Sequence, residues 1–384
     1  MSPFLTEELI EIESIYDSIK ARLIDVRGLS ELKDLVRAIE TEINERIKEL
    51  EWIKLKLALI RPQRNTELYK RFYTMTLRDL YTIRYRAIIL NRLINVVNLY
   101  VHLKGNTKYD EPTTALKKFI DDVKVRLESI KNLRLYTFIE YAYSTITILD
   151  KYGIIAFCVP SYDMLKPWKW VLLLHELGHI MFNIRKDFFT REFREKILPM
   201  LRELAPISIR REVTALLSIW EQNWLKELIS DLYAVATGGP AYTYAFMVEV
   251  FESNPSQYTL THPSLDSRIY VQLNYLKRIE GMKELIGDVK ELWLSHRGNI
   301  LARGLSYPFP QAILEELVNI FINVIKKPVF PNLLDKISDL RLQIDRGKVT
   351  VAAPLPLILA LTLSSNRRNN TLQRKVIKII AADQ

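Results

Sequence analysis

Trp170-Val171-Leu172-Leu173-Leu174-His175-Glu176-Leu177-Gly178-His179-Ile180-Met181-Phe182 is the stretch on which the reading of this chain turns. It is apolar throughout except for two histidines four apart and the glutamate that follows the first. On a helix, positions i and i+4 share one face. Both imidazoles can therefore reach one metal ion, with Glu176 beside them to handle a proton. The chain holds only 5 histidines in 384 residues, so this spacing is improbable by accident. Gly178 costs a helix about 1 kcal/mol relative to alanine, which points to close packing at that position.

Two imidazoles do not complete a catalytic zinc site, which takes a third protein ligand and leaves one position open. Downstream stands Trp224-Leu225-Lys226-Glu227-Leu228-Ile229-Ser230-Asp231-Leu232-Tyr233-Ala234. Glu227 and Asp231 are again i and i+4, and Leu225, Leu228, Ile229 and Leu232 bury the same helix. Two carboxylates near a core face are costly unless a positive group lies opposite. Alone, the pair describes an amphipathic helix with two solvated acids. After H-E-x-x-H, Glu227 reads as the third ligand. Asp231 reads as the acceptor for the free N–H of His175, fixing the tautomer of that ring.

A third segment follows, Thr261-His262-Pro263-Ser264-Leu265-Asp266-Ser267-Arg268-Ile269. With it the chain, from about Gly153 to Ile269, resembles the gluzincin metallopeptidases of the HtpX and CAAX-prenyl-endopeptidase clan. The resemblance implies a zincin-like metallopeptidase core with one Zn2+ per chain, held by His175, His179 and Glu227. It implies Glu176 as general base, Asp231 as partner of a ligand, and Arg268 near the site. It also implies that His262 stabilises the tetrahedral intermediate; by itself, His262 is a loop histidine before a proline. Ile154-Ile155-Ala156-Phe157-Cys158-Val159, between Gly153 and Pro160, suits a short strand. In the family such a strand lines the cleft and pairs with extended substrate, which makes Ile155, Ala156, Phe157 and Cys158 candidate substrate-binding residues. The same residues also describe a buried core strand. Trp168, Trp170, Trp220 and Trp224 either wall the cleft or pack inside.

The resemblance has a limit. Members of that clan are mostly integral membrane proteins, whereas no apolar run here reaches the roughly 18 to 20 residues of a membrane helix. Val349 to Leu363 is interrupted by Pro354 and Pro356. Met1 to Lys20 carries Glu7, Glu8, Glu11 and Glu13 and no apolar signal region. Cys158 is the single cysteine, which excludes an intrachain disulfide and suits a reducing compartment. A cytoplasmic protein without an integral membrane segment is the expectation.

Hydrophobic periodicity makes the chain mainly α, with a small β element before the motif helix and helical regions on both sides. Leu5, Leu9, Ile12, Tyr16, Ile19 and Leu23 step by four and three, as do Leu32, Leu35, Ile39, Ile43, Ile47 and Leu50. A third helix ends near Leu103, and further helices are expected from about Thr113 to Leu149. Three regions result: a helical N-terminal domain over 1–150, a metallopeptidase core over 151–300, and a mostly helical C-terminal region over 301–384. The last holds a possible hairpin around Asp345-Arg346-Gly347. The stretch 180–226 is charged and reads as helix or loop, with the length for a lid over the site.

The net charge of +10 is unevenly spread. Residues 1–50 carry 7 Lys/Arg against 12 Asp/Glu, and residues 51–110 carry 12 against 4. Basic residues interleaved with tyrosine, as from Tyr81 to Tyr85, can bind nucleic acid. The helical spacing favours aromatics packed inward, with Arg and Lys on a solvated face or paired with the acidic first helices. The expected activity is that of a soluble zinc-dependent metalloendopeptidase acting on a peptide or protein substrate. The alternatives are a catalytically silent zinc-binding scaffold and a nucleic-acid-associated protein using the basic 51–110 region.

Overall fold

The two N-terminal stripes form helices where their spacing places them. In the computed structural model, which describes residues 3–59, 67–104, 107–209, 212–250, 253–297, 305–325 and 328–382, α1 is Pro3–Leu23 and α2 is Lys33–Leu59. They are followed by α3 (Glu67–Leu103), α4 (Thr107–Arg126) and three strands: β1 (Arg134–Glu140), β2 (Ser144–Ile146) and β3 (Ile154–Pro160). The chain forms two compact units. The first comprises Met1–Thr113 and Asn132–Ser161; the second comprises Thr114–Lys131 and Tyr162–Gln384.

In the first unit, Leu5, Leu9, Ile12, Tyr16, Ile19 and Leu23 of α1 are buried against Leu35, Ile39, Ile43 and Leu50 of α2 and Leu80, Ile83, Leu90 and Ile94 of α3. The opposite charges of α1 to α3 and the residues that flank them meet as ion pairs: Arg84 with Glu8 and Glu11, Lys54 with Glu13, Lys104 with Glu31. Glu42, fully buried, is surrounded by Arg46 at 3.2 Å, Arg86 at 3.0 Å and Lys151 at 2.6 Å, which compensates the cost of removing a carboxylate from water. One expectation for α3 is corrected. Tyr81 and Tyr85 face outward, while Arg84 and Arg86 are the residues engaged by the neighbouring helices.

The segment expected to continue as helix to Leu149 leaves it at Arg126. Leu135-Tyr136-Thr137-Phe138-Ile139 and Ser144-Thr145-Ile146 are rich in β-branched and aromatic residues, and they pair as strands. The sheet has the order β1-β3-β2, with β1 parallel to β3 (Arg134 opposite Ile154) and β2 antiparallel to it (Ser144 opposite Cys158). β3 is therefore the central strand and is buried along its whole length. Gly153 enters it with φ +70°, a left-handed conformation that favours glycine. This corrects the substrate-binding role of Ile155, Ala156, Phe157 and Cys158. Ala156, Phe157 and Cys158 are paired on both edges, Ile155 is paired with Leu135 of β1, and all four side chains are buried, so the strand is not an open edge for an extended substrate. Position in the sheet decides between the two readings of this strand, in favour of the core.

The second unit holds α5 (Leu173–Ile184), α6 (Lys186–Glu192), α7 (Leu198–Leu204), α8 (Val213–Ile219), α9 (Leu225–Gly238), α10 (Pro240–Glu249) and α11 (Leu265–Lys277). It continues with α12 (Lys283–Arg297), α13 (Gln311–Val324), α14 (Leu334–Asp345), α15 (Pro354–Leu363) and α16 (Asn370–Ala381). The region after 301 thus belongs to the unit that carries the motif helix and is not a third body, and the boundary expected at 150 lies after β3. The hairpin expected around Asp345 is absent. Ile337, Leu340 and Ile344 are buried at helical spacing in α14, and only the residues after Gly347 are extended. α15 is apolar on every side and buried from Leu355 to Thr362, as an all-round hydrophobic helix must be. Its prolines sit in the first turn, where a missing N–H costs nothing. Among the described residues no helix is long and apolar enough to cross a membrane.

Candidate metal centre

α5 buries Leu173, Leu174, Leu177, Ile180 and Met181 and turns His175 and His179 to its less covered face. The two rings stand 4.5 Å apart, nearly perpendicular. α9 lies against α5 in backbone contact. A Cβ on residue 178 would come within 2.4 Å of the Ser230 carbonyl oxygen, so glycine is the residue that permits this approach.

The close approach sets three residues of α9 among the histidines. Glu227, Ser230 and Asp231, spaced i, i+3 and i+4, share one helical face and are buried. Asp231 Oδ1 lies 2.9 Å from His175 Nδ1. A carboxylate only accepts, so Nδ1 of His175 carries the proton. Ser230 Oγ donates to the Lys226 carbonyl at 2.7 Å and therefore accepts from His179 Nδ1 at 2.8 Å. Both imidazoles thus have Nδ1–H committed, and their Nε2 lone pairs are left facing Glu227. His175 Nε2 is 3.3 Å from Glu227 Oε2, and His179 Nε2 is 3.4 Å from Oε1. Glu227 Oε2 is buried and has no hydrogen-bond partner.

Lone pairs of two neutral imidazoles aimed at a carboxylate repel unless a positive charge stands between them. In the protein alone that charge is a proton. Burial depresses the His175 pKa, but Asp231 and Glu227 outweigh burial and lift it to about 9. Burial and the neighbouring His175 charge push His179 down to about 2, so beyond the two Nδ1–H groups the pair holds one further proton, on His175. Burial also works against the charged form of Glu227, yet His175 and Arg268 hold its pKa down to about 2. A divalent cation suits the same place. Nitrogen and oxygen donors about 2.0–2.1 Å from one tetrahedral ion stand about 3.3–3.4 Å apart, the separation of each imidazole Nε2 from its facing Glu227 oxygen.

α11 supplies the counter-charge. Ser264 caps its N-terminus by accepting from the Ser267 N–H. Arg268, in the turn that follows, grips Asp231 with two bonds, Nε to Oδ2 at 2.6 Å and Nη2 to Oδ1 at 2.8 Å. Its guanidinium lies 4.5 Å from the centre of the Phe246 ring and 3.7 Å from Glu227 Oε2. Tyr242 OH of α10 donates to Asp231 Oδ1 at 2.7 Å. Asp231 is fully buried and holds its charge because Arg268, His175 and Tyr242 all bind it.

Two sequence-predicted residues stand at the open side. A carboxylate oxygen of Glu176 lies with one nitrogen of each imidazole in a group whose members are all within 4.8 Å of one another. His262, 56% exposed, has Nε2 3.8 Å from Glu227 Oε2. The structure thus brings His175, Glu176, His179, Glu227, Asp231, His262 and Arg268 to one place. Ser230 and Tyr242 join them without any signal in the sequence: a serine and a tyrosine on buried helices carry no spacing that marks them. The tryptophans Trp168, Trp170, Trp220 and Trp224 are buried and pack the interior. Within 180–226 the described residues form the end of α5, then α6, α7 and α8, with widened turns at Phe193–Ile197 and Trp220–Trp224.

Comparison of the chain with known protein families, with curated proteins and with solved structures finds no match.

Proposed function

We propose that the chain is a zinc-dependent peptidase with a zincin-type core, in which His175, His179 and Glu227 hold the metal and Glu176 is the general base. One observation carries this reading: two Nε2 atoms, on rings whose Nδ1–H is engaged, face the two oxygens of the buried Glu227 carboxylate, of which Oε2 has no hydrogen-bond partner. A structural ion pair would not need both rings aligned in this way. When bound, zinc supplies Lewis acidity, which polarises a peptide carbonyl and makes water nucleophilic near neutral pH.

The rest of the chemistry falls to the chain's own residues. Glu176 takes the proton from the attacking water and returns it to the leaving amine, so that no free amide anion forms. His262, exposed beside Glu227, donates to the carbonyl oxygen as negative charge develops there. Asp231 and Ser230 hold the two ligand rings in the tautomer that leaves Nε2 free. Arg268 neutralises Asp231, so the carboxylate is not a net burden in the core.

The test is metal analysis of the purified chain paired with a peptide-library digest by wild type and Glu176→Gln. Stoichiometric zinc with cleavage lost in Glu176→Gln is the expected result. Zinc without cleavage of any peptide points to the silent scaffold instead. A variant that cleaves as fast as wild type removes Glu176 from the mechanism.

A further inference from the structure

The turn that leads into the helix carrying Glu227 also ties down the loop that carries His262. The turn just before α9, Trp220–Trp224, is widened to i→i+5 hydrogen bonding, a rare form that recurs at functional sites. Three side-chain N–H donors leave this one turn, and each captures a backbone carbonyl distant in sequence. Trp220 Nε1 donates to Pro308 O at 2.9 Å, Asn223 Nδ2 to Leu260 O at 2.9 Å, and Trp224 Nε1 to Thr259 O at 2.8 Å. Trp224 is itself immobile, fully buried, with its ring packed on Tyr258 and Phe309 at 5.5 Å and 4.8 Å.

The captured loop is exposed from Ser256 to His262 and has no helix or strand of its own. Such a loop is mobile by default. Here its internal bonds close it into a small rigid turn: Thr259 N–H donates to His262 O at 2.9 Å, and His262 N–H donates to Thr259 Oγ1 at 3.0 Å. The Thr259 and Thr261 hydroxyls stand 3.1 Å apart, and Thr261 Oγ1 is 2.9 Å from His262 Nδ1. In the sense in which Thr259 donates to Thr261 and Thr261 to Nδ1, His262 presents Nε2–H outward as a donor.

Water would satisfy exposed loop carbonyls without Asn223 or Trp224, so what these two side chains contribute is position. We infer that Asn223 and Trp224 are positioning residues that hold the Thr259–His262 turn, and with it the His262 imidazole, in register with Glu227. The inference rests on the peptidase reading for its consequence in turnover. Its structural content, a loop held by two donors from the turn that leads into the ligand helix, stands apart from that reading.

The test uses the full chain carrying Trp224→Phe, which keeps the ring packing and removes the N–H, Asn223→Ala, His262→Ala, and the corresponding double substitutions. Each of the first two lowers kcat on a cleaved peptide about tenfold, the size of one lost oriented hydrogen bond, while KM and zinc content stay unchanged. Neither lowers kcat further once His262 is alanine, because its route of action is gone. In the metal-free protein, amide exchange at residues 259–262 rises in both variants while α9 stays protected. Losses that multiply in the double variants, or loop exchange that both substitutions leave unchanged, overturn the inference. A wild-type chain that cleaves nothing defeats the peptidase reading instead, and amide exchange alone then decides whether the turn holds the loop.

Discussion

Gly178 and Ser230 touch backbone to backbone: a Cβ at 178 would lie 2.4 Å from the Ser230 carbonyl oxygen and 2.7 Å from its Cα. Both obstacles are main chain, so α5 or α9 must move to admit a methyl group. Gly178→Ala gains about 1 kcal/mol of helix propensity and loses about 1–3 kcal/mol to overpacking. We expect a net loss of stability together with weaker zinc retention, because the same movement pulls Ser230 from His179. Thermal denaturation with and without zinc checks this. An alanine variant with wild-type midpoint and zinc content would show that the contact is not needed.

On the proposed reading, removing Glu227 acts on the metal and not on proton transfer. Glu227→Gln keeps the shape but removes the charge, and we expect zinc to dialyse away from this variant under conditions where Glu176→Gln retains it. Glu176→Gln instead loses about a hundredfold to ten-thousandfold in turnover. Atomic absorption on the two dialysed variants, compared with their rates, separates the roles; equal zinc retention refutes the division.

Arg268→Met leaves Asp231 fully buried with its main counter-charge gone. Breaking a buried ion pair from one side costs about 3–5 kcal/mol. Tyr242→Phe removes one hydrogen bond to the same carboxylate and costs about 1 kcal/mol. Urea unfolding of both variants should therefore rank them well apart, and equal midpoints would contradict the role given to Arg268.

In the proposed site, zinc and a proton compete for His175. Its pKa of about 9 lies above the ordinary histidine value, so at neutral pH the metal-free protein holds a proton where zinc would bind. Zinc uptake at pH 7 should release about one proton from this pair, and apparent affinity should rise with pH until about 9 and then level off. The sign for stability follows from the same shift. The raised pKa stabilises the metal-free fold fully below the unfolded value near 6.5, and this contribution disappears as pH rises through about 9. Calorimetry in buffers of different ionisation enthalpy measures the proton; an affinity flat from pH 7 to 9 removes His175 as a ligand.

Cys158 offers an independent clock for the first unit. Burial and the nearby Glu140 carboxylate push its thiol pKa up to about 12, and the residue is fully enclosed in β3. A thiol reagent at pH 8 should label it only at the rate of opening. Fast labelling of the native protein would mean that the sheet is more open than its pairing indicates.

The legible parts of this protein were those that repeat along one helix. Leu5 to Leu23 and Leu32 to Leu50 advertise their buried faces by spacing alone. His175, Glu176 and His179, and after them Glu227 and Asp231, stand out because polar groups at i and i+4 interrupt an apolar helix face. The β segments were harder. Arg134–Glu140 carries β-forming residues within a stretch whose sequence predicts helix, since strand formation depends on a partner twenty residues later at Ile154.

The order of residues in the chain was enough to nominate the donors and the helices that bear them, because helical geometry is local and a period of 3.6 is written in consecutive side chains. Only the tertiary structure decided that β3 lies between two strands and is closed to substrate, and that Ser230 and Tyr242 complete the site. It alone showed that a single turn at Trp220–Trp224 reaches the His262 loop. Those facts depend on which surfaces meet across dozens of residues. Such meetings are settled by packing and hydrogen-bond geometry in three dimensions, and they leave no period in the sequence.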